Sequence, residues 1–134
     1  RMSRGLGDVY KRQGCMIIMG TITPAYASSF TLGNYNGSNT LTKSTNSATG
    51  KTSFAVGYSA NAYRYVGVTI KYTINGKSYT KSGSDSASTN PSNGYSKTTA
   101  LVTVKKPGNG SMQTASSSHK TSYENKVKSE YLTK

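Results

Sequence analysis

Between Tyr63 and Ile74 the chain alternates without a break. Val66, Val68, Ile70, Tyr72 and Ile74 stand two apart, with Gly67, Thr69, Lys71 and Thr73 between them. A strand sends successive side chains to opposite faces, so this pattern predicts one buried face and one wet face. Asn75-Gly76 follows at once, and this dipeptide tolerates the positive φ values of a two-residue hairpin turn. The return strand is placed at residues 77–82. An unbulged turn sets Tyr72 opposite Tyr79 but puts Lys77 and Lys81 on the Val/Ile face. A turn with a one-residue bulge puts Ser78, Thr80 and Ser82 there instead. The bulged form is preferred, because hydroxyls cost less to bury than ammonium groups.

No helical period appears in residues 28–134. Further strands are expected at residues 29–32, at 51–57 with Phe54 and Val56 on one face, and at 97–105 with Ala100, Val102 and Val104 inward. Residues 111–123 read as a long polar strand that pairs with 127–132 across Glu124-Asn125-Lys126. Residues 33–50 read as loop or a weak edge strand, and 83–96 as a long polar loop. The expected fold is all-β, a small antiparallel sandwich or barrel of about six or seven strands. Hydrophobic residues make up only 33% of the chain, so tyrosine is expected to carry much of the core.

The first residues do not fit this pattern. Ser3 to Gln13, SRGLGDVYKRQ, resembles the translation of a transposase-type sequencing-library adaptor over eleven consecutive residues. That resemblance implies that residues 1–13 are an artefact without function, carried in from microbial shotgun assembly. Residues 14–27 read as the end of a truncated signal peptide. Met16, Ile17, Ile18 and Met19 form a short apolar run, Pro24 keeps the chain extended, and Ala25-Tyr26-Ala27 fits a small-residue cleavage site ahead of Ser28. Cys15 precedes the apolar run, so the secreted β domain expected at 28–134 contains no cysteine and needs no disulfide outside the cell. The whole chain has 17 basic and 4 acidic residues, a net of +13. Without Arg1, Arg4, Asp8, Lys11 and Arg12 there remain 13 basic and 3 acidic residues, a net of +10.

Chemistry-bearing residues are few. His119 is the only histidine, and the carboxylates after residue 13 are Asp85, Glu124 and Glu130. His119 is read as a surface or half-buried strand histidine, because its neighbour Ser118 points to the opposite face. One histidine and three scattered acids do not make a hydrolytic pair or a metal shell, so no catalytic residue, metal or other cofactor is expected. Tyr63-Arg64-Tyr65 places two rings on the face opposite Val66 and Ile70, where they either stack on a ligand or simply cover the second side of the strand. The basic candidates are Arg64, Lys105, Lys106, Lys120, Lys126 and Lys128. Arg64 is the only arginine after residue 13, which argues against sequence-specific nucleic-acid binding. A diffuse basic field on an exported protein suits an anionic wall polymer, a glycan or a membrane surface, or else serves solubility.

Small size, a secretory leader and a Cys-free β pattern rich in Ser, Thr, Tyr and Lys resemble small secreted proteins of Gram-positive bacteria, among them the lactococcin-972-like bacteriocins. The residues support a non-catalytic, secreted or cell-surface-associated basic β protein that contacts anionic or carbohydrate polymers. The bacteriocin resemblance implies an alternative, a secreted toxin acting on the envelope of neighbouring cells.

Overall fold

The computed structural model describes residues 26–57, 60–90 and 95–134. Tight turns divide this chain into antiparallel strands. Gly33, Asn75, Gly76 and Glu124 take φ values of +64°, +50°, +79° and +54° at the hairpin bends. The strands are β1 (Tyr26–Leu32), β2 (Tyr35–Lys43), β3 (Ser47–Phe54), β4 (Ala62–Ile74), β5 (Lys77–Asn90), the two-residue β6 (Tyr95–Ser96), β7 (Thr99–Lys105), β8 (Ser111–Tyr123) and β9 (Lys126–Thr133). They form a five-stranded sheet, β9-β8-β4-β5-β6, and a four-stranded sheet, β1-β2-β3-β7. The fold is an all-β sandwich and not a closed barrel. None of the described residues forms a helix that could cross a membrane.

The alternation of β4 is realised as expected. Val66, Val68 and Ile70 are fully buried, Tyr72 nearly so, and Ile74 packs at the rim of the same cluster. Leu41, Ala48, Ala100 and Val104 meet them from the other sheet, with Val102 packed alongside. Gly50 sits at the closest approach, where an added Cβ would lie 2.5 Å from Val68 and 2.7 Å from Val66. Phe30, Leu32, Phe54 and Ala62 form a second cluster, joined by Tyr35, Val56 and Tyr123. Tyrosine contributes less to the interior than expected. Tyr72 is the only buried tyrosine described, while Tyr26, Tyr63, Tyr79 and Tyr131 are exposed. Small residues fill the remaining space, among them Ala87, Ala115, Thr52, Ser117 and Thr121.

Three expectations need correction. The Asn75-Gly76 hairpin has no bulge: Ile74 faces Lys77, Tyr72 faces Tyr79 and Ile70 faces Lys81. The lysines escape burial because this end of β5 lies at the margin of the sandwich. Lys77 and Lys81 stay exposed, and the Lys81 ammonium reaches the Lys105 carbonyl at 3.0 Å. The rings of Tyr72 and Tyr79 stack with centroids 5.7 Å apart. A register shift occurs instead between β4 and β8, at Lys71/Tyr72. Residues 33–50, expected as loop or a weak edge strand, hold the inner strand β2 and the start of β3, and residues 83–90, expected within a polar loop, are the second half of β5. Their backbones are held by antiparallel pairing with β3 and along the whole of β4.

Side-chain links close both flanks of the sandwich. Glu130 of β9 accepts hydrogen bonds from Ser28 Oγ at 2.6 Å and Asn39 Nδ2 at 3.1 Å. On the opposite flank Asp85 accepts the Leu101 backbone N–H at 2.9 Å and pairs with Lys97 at 3.5 Å. That contact occupies a backbone donor on the edge strand β7, a position that would otherwise invite another chain. The expected artefact at 1–13 and the leader up to Ala25 lie outside the described residues. Ala27 and Ser28 lie within β1, paired with Thr40 and Asn39.

Candidate functional site

Strand parity sorts the candidate residues. Tyr63 and Tyr65 share the outer face of β4, and the register places Ser122 and Lys120 of β8 beside them. On that face Ser84, Ser86 and Ser88 of β5 flank β4 on one side, and Ser116 and Ser118 of β8 flank it on the other. Tyr131 of β9 pairs with Ser118 and is 65% exposed. Among the described side chains, the outer face of the five-stranded sheet is therefore a field of hydroxyl groups carrying three tyrosine rings.

Gly67 gives this face its shape. It stands between Ser84 and Ser118 with no side chain of its own. The Tyr65 ring folds along the strand to cover it: an added Cβ at Gly67 would lie 2.8 Å from the Tyr65 Oη and 3.4 Å from Cε1. One side of the ring thus rests on the sheet. Around it lies an open trough of about 590 Å³ lined by Tyr65, Gly67, Lys71, Ser84, Ser118 and Tyr131, among others. A second hollow of about 400 Å³, lined by Tyr63, Ser88, Ser122 and Glu124, lies at the other end of this face. Tyr supplies flat apolar area with a polar tip, and hydroxyls both donate and accept hydrogen bonds. This combination matches a sugar ring, whose C–H face stacks on an aromatic ring while its hydroxyls bond at the edge.

The structure brings Tyr63, Tyr65 and Lys120 together and separates the other candidates from them. Arg64 has the inner parity and is 0% exposed, so it is a core residue and not a surface contact. Its Nε donates to the Phe54 carbonyl at 2.7 Å, and Nη2 donates to the same oxygen. Nη1 reaches Thr89 Oγ1 at 2.8 Å and the carbonyls of Ala62 and Lys97 at 3.2 and 3.3 Å. The guanidinium also lies 5.7 Å from the centre of the Phe54 ring. Burial lowers its pKa. Its fork of donors ties the end of β3 and the segment before β7 to the paired strands β4 and β5. Lys105 is exposed at the end of β7, and Lys106 turns its ammonium to the Pro107 carbonyl at 3.3 Å. Lys126 and Lys128 are exposed on β9 with the parity opposite to Tyr131.

His119 corrects another expectation, being 2% exposed. Its Nδ1 lies 2.7 Å from Thr52 Oγ1 and its Nε2 lies 2.7 Å from Ser117 Oγ. Thr52 donates its single hydroxyl proton to the Tyr65 carbonyl at 3.2 Å. Nδ1 therefore donates to Thr52, and Nε2 accepts from Ser117. The serine two residues before the histidine shares its face, whereas the adjacent Ser118 lies on the outer face. A Ser-His pair of this tautomer resembles part of a hydrolytic triad, but a hydroxyl stands in place of the orienting carboxylate, and Ser117 is 1% exposed. Burial pushes the His119 pKa down to about 4, with Glu130 opposing the shift. The arrangement is core hydrogen bonding across the two sheets. No group of three His, Cys, Asp or Glu residues suited to a metal ion occurs among the described residues. No protein-family model, curated protein or solved structure matches this chain.

Proposed function

We propose that the chain is a non-catalytic, secreted or cell-surface-associated β protein that binds polysaccharide on the outer face of its five-stranded sheet. The observation that carries this reading is the Tyr65 ring laid over Gly67 within an open trough edged by serines and Tyr131. The ring is already held against the sheet, so stacking a sugar on its free side immobilises little that is not already ordered. The serine hydroxyls supply edge contacts of the kind that orient a ligand within a largely preformed site.

Pull-down on insoluble bacterial cell-wall polysaccharide tests this. Tyr65→Ala should weaken retention about tenfold, equivalent to about 1.4 kcal/mol. Leu101→Ala, which truncates an exposed apolar side chain on the other sheet, should leave retention unchanged. Equal retention of the parent and Tyr65→Ala would contradict the assignment.

A further inference from the structure

The trough is electrically one-sided. Lys120 is the direct cross-strand neighbour of Tyr65 and is exposed. Lys71 lines the trough on the same outer face of β4, six positions beyond Tyr65. No carboxylate among the described residues lines it. Asp85 has the inner parity and is held by Leu101 and Lys97, while Glu130 is held by Ser28 and Asn39. Glu124 lines the separate hollow beside Tyr63.

Adjacent strands stand about 4.8 Å apart, roughly the width of a pyranose ring. An acidic group at the edge of a sugar stacked on Tyr65 therefore falls within reach of the Lys120 ammonium on its four-carbon stem. Six residues at about 3.3 Å each put Lys71 about 20 Å along the strand from Tyr65, which fits an extended chain and not a single sugar. Among the described residues the only arginine, Arg64, is buried on the inner face, and a single ammonium matches a monovalent carboxylate better than a phosphate dianion.

We infer that the polysaccharide is acidic: a uronate-type sugar stacks on Tyr65, Lys120 receives its carboxylate, and the chain runs along β4 toward Lys71. This rests on the polysaccharide-binding reading above and adds the ligand's charge and direction.

Calorimetric titration with hexagalacturonate and with its fully methyl-esterified counterpart tests it. The salt is set at about 0.15 M to screen the general field of the protein to about 8 Å. The acid form should bind about tenfold more tightly than the ester. Lys120→Gln should erase that difference. Lys51→Gln, the same charge change on the outer face of the other sheet, should preserve it. Equal binding of acid and ester by the parent overturns the acidic inference and leaves polysaccharide binding standing. Equal losses in the two lysine variants overturn it as well, by making the attraction a property of net charge. Absence of binding to both oligosaccharides overturns the acidic ligand, and the wall pull-down then decides the broader reading on its own.

Discussion

A neutral imidazole gives one proton and accepts one, and His119 does both with hydroxyl partners in the interior. Charging it there means burying a cation. Its folded pKa is about 4, against about 6.5 for an unshielded histidine. The sign follows from where the proton goes. Above about pH 6.5 neither state binds it, and the contribution to stability is fully present. As pH falls from about 6.5 to 4, the unfolded chain takes up a proton that the fold refuses, and stability drops. The expected loss over this window is about 3 kcal/mol in urea melts. His119→Gln, which has no ring to charge, should lose markedly less between pH 7 and pH 4. An equal loss in both proteins would place the acid sensitivity elsewhere. The burial of His119 was not legible from its Ser-rich surroundings, because it depends on which face of β8 meets β3. The parity shared with Ser117 was in the sequence; the partner Thr52, 67 residues away, was not.

At the scale of the strand, β4 carries the sandwich because it lies between β8 and β5 and turns three fully buried aliphatic side chains inward. Ile70→Ala should cost about 2–5 kcal/mol, whereas Lys71→Ala, one residue away on the wet face, should change stability by only about ±0.5 kcal/mol. Equal destabilisation in denaturant melts would contradict the face assignment. This strand was legible because strict alternation has one structural meaning. The polar strands were not. In β2 and β3 the inward positions include Asn39, Gly50 and Thr52, so no apolar period marks them. Gly50 is small for a packing reason visible only across the sheets, where Val66 and Val68 fill the space above it. The Asn75-Gly76 turn is legible in the dipeptide itself, but its register is not. The preference for a bulge assumed that the lysines of β5 lie under the other sheet, whereas they lie at its margin.

On the whole molecule, both outer faces are rich in hydroxyl groups. The four-stranded sheet presents Thr49 bonded to Thr103 at 2.8 Å and Ser53 bonded to Thr99 at 3.1 Å. Ser and Thr on a wet sheet therefore do not by themselves mark a site. The faces differ in their rings: Tyr63, Tyr65 and Tyr131 stand on one, and the exposed apolar side chain on the body of the other is Leu101. Parity made Tyr63 and Tyr65 legible as face partners, and it equally excluded Arg64, which shares the parity of Val66. Lys120 and Tyr131 join them only through the register of β8 and β9. The most direct test of the account is a map of backbone amide NMR shifts during titration with a cell-wall oligosaccharide that the protein retains. Shifts are expected to concentrate at Tyr65, Gly67, Ser84, Ser118, Lys120 and Tyr131, with Thr49, Lys51 and Thr103 unmoved. Shifts centred on the four-stranded sheet, or spread evenly over the exposed lysines of both sheets, would contradict it.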